Sequence, residues 1–235
     1  MAGRDPLLDR DVGEQGAAAL LLTSHQTWGS CPIFAEAAGF FSKLLDHFSL
    51  SQARDDLRRW MEQGLSLSKL SVNVSADRLL SQDLVKHVRA LDFPDGVLVF
   101  ELLESIYLDY PDQDLLDKIR DLQDLGVRIE LDDFGTGRTS VISLMSVKPS
   151  GIKLDRGLVI PSQESQDARC LMKLVVDMGH SLGISVTAEG VENMGTAKLA
   201  HDFGCDMLQG YGLGRPMPPD HFLGFALKNH AETMA

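Results

Sequence analysis

The chain has 235 residues, 44% hydrophobic and 24% charged, which is enough to bury a full core within one large domain. Its formal net charge of -12 argues against non-specific binding to nucleic acid, because phosphates would meet a repelling field. No apolar run approaches the length of a membrane span, and the 3 cysteines lack the spacing of a zinc site or a disulfide framework, so we expect a cytoplasmic protein.

The beginning of the chain carries only weak structural signals. Residues 1–15 read as a polar lead-in that holds one possible strand, "DPLLD", and residues 16–235 are expected to form a single domain. The run "AAALLL" (17–22) is a second weak strand candidate. Nothing else before residue 69 predicts a strand.

From residue 69 onward, strands alternate with helical patterns. "KLSVNVS" (69–75) and "GVLVFELLES" (96–105) are rich in apolar and β-branched residues and predict strands. "DLLDKIRDLQDLG" (114–126) has apolar residues at helical spacing and ends at Gly126, which predicts a helix with a glycine C-cap. The strand "VRIELDD" (127–133) follows directly.

The same arrangement repeats to the end of the chain. "GIKLDRG" (151–157) predicts a further strand, and "CLMKLVVDMGHSLG" (170–183) predicts a helix that leads into the strand "ISVTAEG". The predicted apolar stripe of this helix is Leu171, Leu174, Val175, Met178 and Leu182. A last copy runs through "AKLAHDFG" into "CDMLQGY". About eight strands alternating with helices predict a TIM-like (β/α)8 barrel, with an open doubly wound α/β sheet as the alternative.

Polar residues fall at or just after the carboxyl ends of the predicted strands. They are Asn73, Glu101, Asp132 with Asp133, Lys153 with Asp155, Glu189 and Gln209. In a barrel these ends converge on one face, where barrel enzymes bind their ligands. A single carboxylate there could be a capping residue, but so many polar groups together predict a functional site.

Carboxylates gathered on one rim repel each other unless a cation neutralises them. Hard oxygen ligands select Mg²⁺ or Mn²⁺ over zinc. The adjacent Asp132 and Asp133 suit two ions about 3.5 to 4 Å apart, with one carboxylate bridging them, an arrangement that can brace phosphoryl displacement by water. Lys153 would be the main fixed positive charge of the rim, or simply a counter-ion for Asp155 or Glu189.

Six blocks give this chain a resemblance to a known family. They are "SVNVS", "FELLES", "LDDFGTG", "IKLD", "TAEGVE" and "QGYGLGRPMP". In order and spacing they resemble the EAL domain family, which acts on the bacterial second messenger cyclic di-GMP, and the match is strong from about Leu70 to Pro218. The resemblance implies a TIM-like barrel with one antiparallel strand, which hydrolyses cyclic di-GMP to linear pGpG with Mg²⁺ or Mn²⁺.

The resemblance also implies a role for each matching residue. Asn73, Glu101 and Asp132 correspond to ligands of a first metal, and Asp132, Asp133 and Glu189 to ligands of a second. Lys153 matches the family lysine near the attacking water, so Lys153, Glu189 and Asp133 are the candidate catalytic residues. The remaining matches are supporting or substrate-binding positions: Asp155, Glu192 and Gln209 around the water, Glu104 bracing the loop after the paired aspartates, and Arg215 on the dinucleotide rim.

Three positions depart from the family pattern. In the best register, Ala18 replaces a metal-binding glutamate and Leu22 replaces an arginine that contacts phosphate. Ala18 offers no oxygen to a metal, and Leu22 cannot make charge-assisted contacts with a phosphate. Arg138 stands where the family usually has an aromatic residue, so it is either a partial replacement for the arginine or an exposed loop charge.

These departures leave hypotheses of different classes. The favoured one is a degenerate member that binds cyclic di-GMP or a protein partner, with hydrolysis lost or strongly reduced. The alternative is an active phosphodiesterase in which water, Glu14 or Glu36 replaces the missing ligand. A pure protein-interaction scaffold is the third. A sensory domain elsewhere in a longer chain, and a homodimer formed through the region after the paired aspartates, are left open.

Overall fold

A computed structural model of the chain describes residues 20–22, 38–102, 113–135 and 141–233, with side chains described within 50–228. The strands are β1 (Leu20–Leu22), β2 (Leu70–Val74), β3 (Leu98–Leu102), β4 (Arg128–Phe134), β5 (Gly151–Leu154), β6 (Ser185–Ala188) and β7 (Met207–Leu208). The helices are α1 (Ala38–Glu62), α2 (Ala76–Leu79), α3 (Leu84–Leu91), α4 (Gln113–Gln123), α5 (Val141–Val147), α6 (Arg156–Val159), α7 (Gln166–Ser181), α8 (Met194–Asp202) and α9 (Pro219–Thr233). A short 3-10 helix covers Pro161–Gln163.

The seven described strands form one parallel sheet in the order in which they occur along the chain. A doubly wound sheet reverses its strand order at a switch point, whereas a barrel adds each new strand to the same edge. The sequential order therefore confirms the predicted TIM-like barrel architecture and rejects the open-sheet alternative. It also brings the carboxyl ends of all seven strands to one rim.

The antiparallel strand implied by the family resemblance is not found among the described strands. β1 lies parallel to β2, with Leu20 opposite Leu70 and Leu22 opposite Val72. A parallel neighbour needs a long crossover connection, and the 25-residue helix α1 between the two strands provides one. β1 coincides with the "AAALLL" candidate, while "DPLLD" lies outside the described residues.

The two faces of the sheet differ in chemistry. Successive side chains of a strand point to opposite faces. One face carries apolar residues such as Leu70, Val72, Ile129 and Ile152, which join a single core together with the helices. The other face lines the barrel interior and carries polar residues, Lys153 among them. The charged groups of the barrel interior are therefore held by strands whose outer sides are anchored in the core.

The helix α4 follows its predicted pattern, whereas α7 follows it only in part. In α4, Leu115, Ile119 and Leu122 are buried as their spacing predicts. In α7 the buried residues are Met172, Val176 and Gly179, whereas Leu171 and Leu174 of the predicted stripe are 51% and 60% exposed.

Close packing explains which face of α7 is buried. An added Cβ at Gly179 would lie 2.7 Å from Val186 Cγ2, so the absence of a side chain there lets the helix approach β6. Val175 and Met178 of the predicted stripe pack partly buried against the core, so helical spacing predicted the period of the buried face and only part of its residues. Within the described ranges, every helix is too short or too polar to cross a bilayer.

Candidate metal and phosphate site

Four charged residues from neighbouring strands meet at the carboxyl rim of the barrel. Glu101 comes from β3, Asp132 from β4 and Lys153 from β5, while Glu189 directly follows β6. Lys153 Nζ lies 3.0 Å from Glu101 Oε2, 3.2 Å from Asp132 Oδ1 and 2.5 Å from Glu189 Oε1. We call these four residues the acidic cluster. It sets three carboxylates against one ammonium, so it carries an excess of negative charge.

Burial changes the protonation behaviour of the acidic cluster. Burial disfavours the charge of Lys153, but the carboxylates of Glu101, Asp132 and Glu189 outweigh this effect and hold its pKa above the usual value. Burial raises the pKa of Glu101, against the opposing effect of the Lys153 charge.

Glu189 is shifted in the same direction as Glu101. Burial is the main cause that raises its pKa to about 7, with Lys153 opposing and the Asp132 charge adding to the shift. One lysine is therefore insufficient to keep three neighbouring carboxylates fully ionised, and a bound cation would complete the charge balance.

A bulge in β4 brings the paired aspartates to the same site. In a regular strand Asp132 and Asp133 would point to opposite faces. The pairing of β4 with β5 skips one residue between Leu131 and Phe134, and Asp133 has a left-handed φ of 52°. The backbone N–H of Asp133 donates to Asp132 Oδ1 at 3.0 Å. Bulges of this kind redirect side chains beside functional sites, and Phe134 returns to the core beyond it.

The carboxylates of the rim are close enough to share a metal ion. Asp132, Asp133 and Glu189 each offer an oxygen, and the three oxygens lie within 4.8 Å of one another. Neighbouring carboxylate oxygens are the ligands that Mg²⁺, Mn²⁺ and Ca²⁺ prefer. This part of the site therefore fits a divalent cation.

Asn73 gives independent support for a metal at this rim. It lies on β2 directly opposite Glu101, and its Oδ1 is buried without a hydrogen-bond partner among the described residues. Leaving a buried acceptor unsatisfied costs about 1 to 3 kcal/mol, so such an atom is rarely unused. A cation ligated by Asn73 and Glu101 would satisfy it, which fits the first of the two predicted metal positions.

The other predicted residues lie around the acidic cluster without joining it. The Asp155 side chain accepts a hydrogen bond from Gly157 N at 2.7 Å and caps α6, and among the described residues it makes no ion pair with Lys153. The backbone of Gln209 links the loop after β6 to β7, since its carbonyl accepts from Val191 N. Arg215 is exposed and stacks over the Tyr211 ring, 5.0 Å from its centroid. Glu192 is exposed in the loop before α8.

The residues that depart from the family pattern, and three predicted carboxylates, lie almost entirely outside the described part of the chain. Ala18, Glu104 and Arg138 lie outside the described residues, as do Glu14 and Glu36. Leu22 ends β1, where its backbone pairs with Val72, but its side chain is not described. Its predicted role therefore stays a prediction.

Sequence reasoning missed one charged pair inside the barrel. Lys69 Nζ lies 2.6 Å from Glu130 Oε2, and both residues are buried, at 3% and 1% exposure. We call these two residues the lower pair, because Lys69 lies just before β2, ahead of Asn73, and Glu130 lies in β4, ahead of Asp132. The one available signal was Glu130 itself, a charged residue in the middle of a strand that otherwise reads as buried.

Comparison with known proteins places this geometry in a family. The EAL domain family model matches residues 8–216. The bifunctional diguanylate cyclase/cyclic di-GMP phosphodiesterase MucR of Pseudomonas aeruginosa is 32% identical over 217 residues, which cover 88% of this chain and 31% of that protein. The matched regions make up 30%, 23% and 31% of three curated relatives, so the chain spans less than a third of their length.

Solved structures agree with the sequence comparison. The EAL domain of Mycobacterium smegmatis DcpA has a TM-score of 0.72 at 26% identity, covering 80% of this chain and 86% of that one. The MucR phosphodiesterase of Pseudomonas aeruginosa in complex with c-di-GMP has a TM-score of 0.71 at 30% identity, covering 80% of this chain and 77% of that one.

Proposed function

Because the chain belongs to the EAL domain family, we propose that it is a cyclic di-GMP signalling domain that binds this dinucleotide while its hydrolysis is lost or strongly reduced. The observation that carries the binding proposal is the convergence of Asp132, Asp133 and Glu189 within 4.8 Å of one another. The observation that carries the reduced hydrolysis is the sequence "AAALLL", which places Ala18 and Leu22 where the family has a glutamate and an arginine.

The retained residues would hold two divalent ions, Mg²⁺ or Mn²⁺. Asp132, Asp133 and Glu189 would hold one of them, and Asn73, Glu101 and Asp132 the other, with Asp132 shared between the two. Bound ions of this kind supply an activated water and neutralise phosphate charge. The first position lacks a carboxylate at Ala18, so its ion would be held more weakly than the second.

Lys153 would act as the fixed positive charge beside the phosphate. Its ammonium is buried at 1% exposure and held by three carboxylates, so its position is well defined before any ligand arrives. Its raised pKa keeps it protonated near neutral pH. It therefore steadies a phosphate oxygen or orients a water by donating a hydrogen bond, and it does not serve as a general base.

An active phosphodiesterase is the second candidate function. It is favoured by the paired aspartates and Glu189, whose placement does not depend on Ala18 or Leu22. In this case water or a nearby carboxylate such as Glu14 or Glu36 would take the place of the missing ligand. The two candidates share the ligand and differ in turnover.

A homodimer is a further proposal for this domain. The helix α5, which follows the paired aspartates, exposes Val141, Ile142 and Met145 at 51%, 48% and 70%. Neighbouring exposed apolar side chains mark candidate association surfaces. Analytical ultracentrifugation of the wild type and of Ile142→Glu measures the oligomeric state, and the variant should dissociate more readily than the wild type. A wild type that is monomeric at every concentration would refute the proposed dimer.

Calorimetry combined with product analysis tests the proposed function. Cyclic di-GMP is titrated in the presence of Mg²⁺, Mn²⁺ or Ca²⁺, and pGpG is measured in the same samples. Binding without pGpG supports a receptor built on this site, whereas steady pGpG production that Asp132→Ala abolishes establishes the active enzyme. No affinity for the dinucleotide with any of these ions would favour a scaffold that contacts only a protein partner.

A further inference from the structure

The lower pair lies directly beside the acidic cluster, although it takes no part in the proposed chemistry. Glu130 is two residues before Asp132 and shares its inward direction on β4. In the sheet it pairs with Glu101 of β3 on one side and with Gly151 of β5 on the other. Glu130 therefore lies beside Glu101 and one inward-facing position below Asp132 and Lys153.

The strand β5 leaves room for the Glu130 side chain. An added Cβ at Gly151 would lie 3.0 Å from Glu130 Cγ and 3.1 Å from Glu130 Cδ, closer than ordinary packing allows. Gly151 is two residues before Lys153 on the same face of β5. A bulkier residue there would push Glu130 toward the interior, so the present position of Glu130 depends on this space.

Glu130 holds the ammonium of Lys69 at 2.6 Å, and both side chains are at least 96% buried. A buried ammonium needs a carboxylate, because an unpaired charge in the interior is strongly destabilising. Glu101 is the register neighbour of Glu130, and the Lys69 charge also acts on it, opposing the burial that raises the Glu101 pKa. Glu101 is already 3.0 Å from Lys153. A second ammonium at Glu101 would occupy the oxygen that a metal ion needs.

We propose that Glu130 is a positioning residue for the metal site: it holds the Lys69 ammonium away from Glu101 and so leaves the Glu101 carboxylate free to bind a divalent ion. This inference rests on the proposed metal-dependent function. It assigns the lower pair a role beyond stability, because loss of Glu130 then lowers metal affinity whereas loss of Lys69 does not.

The experiment measures Mn²⁺ and Ca²⁺ affinity by calorimetry, and thermal unfolding without metal, for the wild type and three variants. Glu130→Gln leaves Lys69 without its partner, so the ammonium turns to Glu101 and metal affinity falls roughly tenfold. Lys69→Met removes the competing cation, so metal affinity stays within about threefold of wild type or rises. The double variant Lys69→Met with Glu130→Gln recovers wild-type affinity within about threefold, because no free ammonium remains.

A purely structural role for the lower pair predicts a different pattern of metal affinities among the variants. Each single variant leaves one buried charge unpaired, so both unfold at lower temperature than the wild type. If the pair were merely structural, metal affinity would fall in both single variants, and that result overturns the proposal. Equal metal affinity in all four proteins overturns it as well.

Two further outcomes are also decisive. If Glu130→Gln does not fold, Glu130→Asp is used instead, because the shorter aspartate side chain pairs less well with Lys69. Glu130→Asp should then lose less metal affinity than Glu130→Gln. Adding Lys69→Met to Glu130→Asp should restore wild-type metal affinity. Failure of that rescue refutes the proposal. A wild type that binds neither ion at all refutes the proposed function and this inference together, whereas a wild type that binds ions with unaffected variants refutes this inference alone.

Discussion

The two charged groups inside the barrel differ most in charge balance, although Asp132 and Glu189 are also more exposed than the lower pair. The lower pair matches one carboxylate with one ammonium at 2.6 Å. The acidic cluster matches three carboxylates with the single ammonium of Lys153, and Asp133 adds a fourth carboxylate beside them. A balanced buried pair needs nothing more, whereas an excess of buried negative charge calls for a cation. Charge imbalance, more than burial, distinguishes the candidate site from a structural ion pair.

The largest expected effect comes from removing each lysine in turn. Lys153→Met leaves three carboxylates facing each other, so the metal-free protein should lose about 3 to 5 kcal/mol of its free energy of unfolding. Mn²⁺ should restore much of this loss, because the ion takes over the charge of the ammonium. Lys69→Met should also destabilise, but its remaining partner Glu130 is a single carboxylate.

Urea denaturation with and without Mn²⁺ measures both variants. The matched prediction is that Mn²⁺ recovers stability in Lys153→Met beyond its effect on the wild type, and does not do so in Lys69→Met. Equal recovery in the two variants would remove the distinction between the acidic cluster and the lower pair.

The acidic cluster should also make metal-free stability depend on pH through Glu189. Its folded pKa of about 7 lies above the usual 4.5, so between these values the folded state keeps a proton that the unfolded state has lost. The free energy of unfolding contributed by this group is therefore fully present below pH 4.5 and is lost as the pH rises through about 7. The shift corresponds to at most about 3 kcal/mol.

Denaturation across this pH window compares the wild type with Glu189→Gln. The variant should lose this part of the pH dependence, and saturating Mg²⁺ should flatten it in the wild type because the ion replaces the proton. An unchanged slope in Glu189→Gln would mean that another group is responsible.

A carboxylate that bridges both proposed ions should matter more than one on the surface. Asp132→Ala should lower divalent-ion affinity roughly 100-fold, at the upper end of what the loss of supporting groups costs at metal sites. Asp202→Ala is the matched control, since this aspartate pairs with Lys198 on the exposed side of α8. Calorimetry with Mn²⁺ should find the control unchanged, and similar losses in both variants would point to a general charge effect.

The sequence predicted the barrel and most of the candidate site because both depend on local patterns. Strand ends can be read from short apolar runs, and a parallel barrel brings those ends together whatever the details of packing. Glu101, Asp132, Lys153 and Glu189 all lie at or just after such strand ends. The side chain of Asp155 also caps α6, a local role that its position after a strand does not reveal.

Other features depend on contacts that no short pattern contains. Lys69 and Glu130 are 61 residues apart and meet across β3, so their pairing follows only from the three-dimensional register. Asp132 and Asp133 reach the same site only because of the bulge in β4, whereas regular strand periodicity predicts that adjacent side chains point to opposite faces. The buried face of α7 is set by the close approach of Gly179 to Val186. In each of these three cases, the conformation depends on a residue or strand that is distant in the sequence.

The smallest expected effect concerns positions 18 and 22. It tests whether the missing glutamate and arginine at these two positions are the sole cause of the reduced hydrolysis. Ala18→Glu with Leu22→Arg adds one carboxylate for the first ion and one cation for a phosphate, and a charge-assisted contact contributes about 1.5 to 3 kcal/mol. Hydrolysis of cyclic di-GMP to pGpG should then rise ~10-fold or more, whereas the charge-reversed pair Ala18→Arg with Leu22→Glu should give no gain. An equal hydrolysis rate in the two double variants would mean that residues other than those at positions 18 and 22 limit hydrolysis, even though the acidic cluster carries excess negative charge.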